Sequence, residues 1–284
     1  VSWFNSNHNI PVTIKSPDEE DITPEQSKYV ADFFNKMEET VYATYFDNKD
    51  YGWRSILDAE TFLKHFLIGE LSGNTDTYWS VYQYKKRGED KAYTGPVWDF
   101  DIAFDNDYRT YPLNNKSEFV CFNGGSTAGS MGQFVRRVVL QDAQTIPELR
   151  EIWAVARCNG IDSASLCMWI DSIAEEIDRS QTFTFMRWDI LNRQEHMNPV
   201  ARGSFAAEVA YLKEYISKRV EWMDKRLGYV HTDVQSPVIS SPLPIAIWDI
   251  MGRMVYAGSE MPMLENGLYV VQENGQTTIK LINN

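Results

Sequence analysis

Cysteine and histidine are too few and too scattered to build a structural metal site. Cys121, Cys158 and Cys167 form no C-x-x-C pair, and His8, His65, His196 and His231 fall without ligand spacing. An oxidising compartment would allow one disulfide and leave one thiol over. Basic residues are also in deficit, 27 Lys and Arg against 40 Asp and Glu for a net charge of −13. Such a chain repels phosphate polymers, so a nucleic-acid role is disfavoured. No apolar run reaches the length of about 18 residues that a membrane-crossing helix needs. Val1-Ser2-Trp3-Phe4-Asn5 has neither the basic flank nor the apolar segment of a signal peptide. Any export signal is therefore expected outside this chain. No glycine-rich phosphate loop and no convincing nucleotide-gripping lysine precede the first predicted helix.

What is abundant is apolar and aromatic side chain: 43% of the 284 residues are hydrophobic and nine are Trp. That is enough for one large domain and something smaller. Residues 1–22 are polar and proline-interrupted. Thr23-Pro24-Glu25-Gln26 then combines an N-cap, a first-turn proline and a capping-box Gln. The spacing of Val30, Phe33, Phe34, Met37, Val41 and Tyr45 predicts a helix to about Phe46. Asp58 caps a second apolar helix that stops at Gly73-Asn74. From Asp76 to Phe104 the period changes to two, with a turn at Arg87-Gly88-Glu89-Asp90, which predicts a β-hairpin. Residues 114–132 read as a long loop, and those from Gln133 past Ile173 as mainly helical. A long helix from Phe205 ends near Gly228. Most tryptophans lie at core spacing; Trp53, in a polar loop, is the one candidate for exposure, with a loop aromatic covering the core as the favoured reading.

The chemistry centres on Gly95-Pro96-Val97-Trp98-Asp99-Phe100-Asp101. In an extended strand Trp98, Phe100 and Ile102 would share one face and Asp99 and Asp101 the other, with backbones roughly 7 Å apart. Two carboxylates so placed can bracket a hard cation. A solvated strand face is the plain alternative. Against it, aspartate is a poor strand former, and Pro96 confines the segment to a sheet rim. A second cluster, Glu70, Asn74 and Asp76, sits where the second helix turns into the hairpin; these residue types also serve simply as turn formers.

The stretches Phe66-Leu67-Ile68-Gly69-Glu70-Leu71-Ser72-Gly73-Asn74-Thr75-Asp76, Tyr82-Gln83-Tyr84-Lys85 and Gly95 to Phe104 resemble the spore-coat-protein-H (CotH) kinase family. The resemblance spans about residues 10–228 and is strongest from Glu70 to Phe104. It implies an α+β, atypical protein-kinase-like domain, mainly the helical part of such a fold with a β-hairpin, over residues 1–228. It further implies phosphate transfer from ATP to secreted proteins with Mg2+. By the same resemblance Asp76 is the catalytic aspartate and Asp99, with Asp101 beside it, the metal carboxylate. Glu70 and Asn74 support the turn as candidate cofactor-binding residues; Lys85 is a weaker candidate phosphate contact, a solvated strand-end lysine being the favoured alternative. Ser80 stands where many members carry Asn, and Ser is the weaker magnesium ligand. The family's nucleotide-gripping parts lie in a further N-terminal β-rich region, so this chain is expected to begin partway into the domain.

Residues 229–242 read as a linker. Residues 243–284 predict short strands with turns at Met251-Gly252-Arg253, Asn266-Gly267 and Asn274-Gly275, a small all-β, sandwich-like module. Its Ile247-to-Val255 and Gly267-to-Val271 segments resemble the C-terminal secretion or sorting tail of Bacteroidetes-type surface proteins. That implies a secreted or cell-surface location and a secreted or surface protein as acceptor. The residues leave two other readings open: a surface structural or adhesion protein that keeps the fold without catalysis, and carbohydrate binding through the aromatics.

Overall fold

Thr23 opens the first long helix as a reciprocal cap: its hydroxyl accepts from the Gln26 amide at 3.2 Å, and the Gln26 side chain accepts from the Thr23 amide at 2.8 Å. The computed structural model describes residues 2–113, 119–122, 129–230, 245–249, 254–258, 261–264, 266–273 and 276–282. Helix α1 runs Pro24–Tyr42 and stops short of Phe46. Its last turn has no basic residue; Arg137 supplies one from outside, donating to the carbonyls of Val41 at 2.5 Å and Ala43 at 2.8 Å. A guanidinium on orphan carbonyls caps the helix through tertiary contact, a stop the local sequence does not carry.

Two short strands precede α1, β1 (Trp3–Asn5) and β2 (Pro11–Thr13), paired antiparallel with Trp3 opposite Thr13. Buried Glu38 of α1 holds them, accepting from the Ser6 hydroxyl at 2.7 Å and the His8 amide at 3.0 Å. Helix α2 (Ala59–Ser72) starts where Asp58 accepts from the Thr61 amide and ends where Gly73 turns left-handed at φ 66°. Strands β3 (Gln83–Lys85) and β4 (Ala92–Thr94) form the hairpin, shorter than the alternation predicted, with Tyr84 opposite Tyr93.

The following chain is mainly helical, as its spacing predicts: α3 (Gly129–Arg136), running into a π turn at Arg137–Gln141, then α4 (Thr145–Cys158), α5 (Ser163–Glu176) and α6 (Asp178–Arg187). Helix α7 (Phe205–Leu227) is capped by Ser204 and closed by Gly228 at φ 66°. Met37, Val41, Leu63, Phe66, Val138, Trp153, Val220 and Met223 are among the side chains of one core that α1, α2, α4 and α7 share.

Trp53 follows the favoured reading, a loop aromatic on the core, rather than the exposed one: it is fully buried. Its indole N–H donates to Asp142 at 2.8 Å, Arg54 stacks on the ring at 4.2 Å, and Arg54 pairs with both Asp142 and Glu148. A loop aromatic is drawn inward here because its N–H meets a partner 89 residues away. Burial alone would raise the Asp142 carboxyl, but the hydrogen bonds from Arg54, Trp53 and the Gln144 amide outweigh it and hold it below its ordinary 3.8. A carboxyl depressed in the fold gives stability that is complete above 3.8 and lost as pH falls through the folded value. Asp142→Asn should therefore cost about 3 kcal/mol at neutral pH. It should also flatten the decline of Tm below pH 3.8 in circular dichroism melts; parallel wild-type and variant curves would contradict this.

Contacts divide the chain into two compact units, Val1–Val230 and His231–Asn284. The second carries strands β5 (Ile245–Asp249), β6 (Met254–Gly258), β7 (Gly267–Glu273) and β8 (Gln276–Ile282) in one antiparallel sheet of order β6-β5-β7-β8. Ile245, Ile247 and Val271 are buried there, with Tyr256, Leu264 and Tyr269 against them. Among the described residues this is a single sheet, not the expected sandwich-like pair of layers: the buried side chains make one small cluster and no second sheet faces it. The predicted turns at 251–253 and 274–275 and most of the predicted linker and of the 114–132 loop lie outside the described residues. Among the described residues no helix is long and apolar enough to cross a membrane; Cys121 is buried, Cys158 exposed and Cys167 half-buried.

Candidate active site

The site begins where α2 stops. Gly73 reverses the chain, and Asn74 caps a short 3₁₀ turn, Thr75–Tyr78, by accepting from the Asp76 amide at 3.0 Å. Gly69 allows this turn to lie against the helix: a Cβ there would come within 2.3 Å of the Thr77 side chain. The same Asn74 amide donates from Nδ2 to the carbonyl oxygen of Asp99 at 2.8 Å. One side chain thus joins the Asp76 turn to the Asp99 segment 25 residues later. Ser80 follows the turn, exposed, its backbone amide bonded to the Asp76 carbonyl at 3.0 Å.

The Asp99 segment is not the expected strand. Asp99, Phe104 and Asp105 have φ of 56°, 58° and 63°, in the left-handed region that a strand excludes. Trp98 is 53% exposed while Ile102 is buried, so the alternating apolar residues do not share a face. The period of two survives in the sequence, but long-range bonds decide the backbone. The Phe104 amide donates to the Ser72 carbonyl at 2.6 Å; Asp105 accepts from the Leu113 amide at 2.7 Å and the Tyr211 hydroxyl at 2.8 Å. Asn106 donates to the Asp101 carbonyl at 2.7 Å. Left-handed non-glycine residues cost about 1–3 kcal/mol each and persist where surrounding contacts enforce them, often at functional sites. The result is a pinned backbone with unpinned carboxylates. Asp99 and Asp101 are exposed, and their side chains make no hydrogen bond or ion pair among the described residues.

Two residues the sequence reading missed complete the cluster. Asp107 is buried and accepts from the Thr75 hydroxyl. Arg109 grips Asp107 through Nε at 2.9 Å and Nη2 at 2.7 Å, donates from Nη2 to Thr75 Oγ1 at 2.9 Å, and lies 3.7 Å from Asp76 Oδ1. The available signal was the D-x-R pair itself, which is common and weak. Burial raises the Asp76 carboxyl; Arg109 pulls it down, while Asp101, Asp107 and Asp99 push it further up. For Asp107 burial also works upward, but the Arg109 and Thr75 hydrogen bonds win and hold it below the ordinary range. Asp76, Asp99, Asp101 and Asp107 therefore share one electrostatic field with a single arginine named against them.

Glu70 and Lys85 lie elsewhere. Glu70, expected to support a bound group, is fully buried beneath the turn, accepting from the Val120 amide at 2.6 Å, the Cys121 amide at 3.2 Å, the Tyr78 hydroxyl and Arg219 of α7 at 3.2 Å. Burial pushes its carboxyl up against the pull of these donors. With every lone-pair direction engaged, it holds the scaffold and touches no ligand. The Lys85 ammonium, expected at a phosphate, donates to the Glu89 carbonyl and sits 5.1 Å from the Phe33 ring and 5.5 Å from the Tyr29 ring. Cation–π attraction and the turn carbonyl hold it on the hairpin.

Among the described residues no three His, Cys, Asp or Glu side chains form a ready metal cage. The free carboxylates of Asp99 and Asp101 are hard oxygen donors of the kind magnesium takes in ones and twos, its remaining positions going to water and phosphate. The donor set fits that ion. No curated protein and no solved structure matches the chain. A comparison with protein families matches residues 4–223 to "CotH kinase protein", a span containing the Asp76 turn, the Asp99 segment and the Arg109 clamp, and the chain belongs to that family.

Proposed function

We propose that the chain transfers a phosphoryl group from ATP to a protein hydroxyl, with Asp76 as the base. The observation that carries this is the Asn74 bridge, which sets the Asp76 turn beside the Asp99 segment. Phosphoryl transfer asks mainly for positioning and charge neutralisation. Asp76 accepts the hydroxyl proton as the new O–P bond forms and the bond to the departing ADP breaks. Burial and three neighbouring carboxylates raise its basicity toward that task. Asp99 and Asp101 would hold Mg2+, which when bound supplies neutralisation of phosphate charge. The secreted or surface location of enzyme and acceptor belongs to this proposal too, supported by the separate β-rich second unit and by the composition of its segments.

Calorimetric titration of the chain with ATP in the presence of magnesium tests the reading. Saturable binding is expected, weakened about tenfold or more in Asp99→Ala, one lost charge-assisted metal contact being sufficient for that. Absence of nucleotide binding in the wild type, or an Asp99→Ala variant changed only in Tm, would instead favour a surface protein that keeps the fold without catalysis.

A further inference from the structure

We infer that Arg109 is a phosphate-contacting cation of this site. The inference rests on the phosphoryl-transfer reading above. The guanidinium is held along one edge: Nε meets both oxygens of Asp107 at 2.9 Å, and Nη2 meets Asp107 Oδ2 at 2.7 Å and Thr75 Oγ1 at 2.9 Å. Asp107 is itself buried and fixed by Thr75, so the fork has a rigid base. The opposite edge is committed to nothing: Nη1 makes no hydrogen bond among the described residues, and about a quarter of the side chain is exposed, 26%. Asp76 Oδ1 lies 3.7 Å from Nη2, beyond a hydrogen bond, so the proposed base is near the guanidinium without being consumed by it.

An arginine anchored through Nε and Nη2, with Nη1 uncommitted, keeps a fixed positive charge and an N–H donor group for phosphate oxygens. Lys85 offers no competition, being held on the hairpin. The Thr75 contact matters for a second reason. It joins the arginine to the residue that precedes Asp76, so base and cation are set by one turn.

The test compares ATP with AMP on the full chain in magnesium, by calorimetry, because only ATP carries the terminal phosphates that Arg109 would meet. Wild type is expected to bind ATP more tightly than AMP. Arg109→Gln should weaken ATP about tenfold and leave AMP unchanged, and Arg109→Lys should recover part of the loss, an ammonium replacing the fork with a point charge. An unchanged ATP-to-AMP ratio in a folded Arg109→Gln, or equal weakening of both nucleotides, overturns the assignment while leaving the phosphoryl-transfer reading intact. Wild type that binds neither nucleotide overturns both. If Arg109→Gln does not fold, Arg109→Lys decides through the same ratio: a fall supports the assignment, and no change overturns it.

Discussion

Glu70→Leu is expected to destabilise the first unit by more than the about 3–5 kcal/mol that breaking a buried ion pair costs, and by more than Arg219→Met, although the two side chains form one ion pair. The asymmetry follows from what each leaves behind. Removing the carboxylate strands a fully buried guanidinium together with the Val120 and Cys121 amides and the Tyr78 hydroxyl. Removing the guanidinium leaves a carboxylate that still has three donors. Each stranded buried amide or hydroxyl adds about 1–3 kcal/mol. Met in place of Arg219 also keeps contact with the Trp222 ring, over which the guanidinium now lies at 4.0 Å. Urea unfolding of both variants and of the double variant measures the difference. The double variant should recover the part due to unpaired charge and not the part due to the amides. Equal losses in the two single variants would show that the charge pair alone holds this region.

Asp76→Asn should lower phosphoryl transfer by about 10²–10⁴-fold, the range a positioned general base contributes, with Tm nearly unchanged. Asn keeps the shape and the backbone bonds, since Asn74 and Ser80 meet the Asp76 main chain and not its carboxylate. What it loses is the proton acceptor. The Arg109 separation of 3.7 Å means little pairing energy leaves with the charge. Transfer of labelled phosphate from ATP to a serine-rich protein, read beside thermal melts, checks both halves. Transfer persisting at wild-type rate would remove Asp76 from the base role. A large fall in Tm would make the residue a structural one.

The parts of this fold that local chemistry determines could be read ahead of the structure. Thr23 with Gln26, Asp58, Gly73 and Gly228 all act within a turn of themselves, and each terminus falls where it should. Where the partner is distant, the local sequence carries no sign of it. The end of α1 depends on Arg137, the full burial of Trp53 on Asp142, and the place of Glu70 beneath the turn on Arg219, 149 residues away. The Asp99 segment misled for a different reason. Its apolar alternation is real, but left-handed turns at Asp99, Phe104 and Asp105 are enforced by Asn74, Ser72 and Tyr211 and leave no trace in periodicity. Of the site residues, Asn74, Asp76, Asp99 and Asp101 were legible as a group because they sit at turns and in an unusual acid-aromatic run. Asp107 and Arg109 were not, because a D-x-R pair acquires meaning only when Thr75 is folded against it.

The Asn74 amide also has a mechanical meaning. Its oxygen holds the Asp76 amide and its nitrogen holds the Asp99 carbonyl, so the distance between the two chain segments is spanned by a single planar group about as stiff as a peptide bond. Any movement of the two segments would carry both aspartates together as one body. Turning that amide end for end would present a nitrogen to an N–H and an oxygen to a carbonyl, releasing both segments at once. The separation of the proposed base from the proposed metal carboxylates is thus gauged by one residue that bears no charge and need touch no substrate.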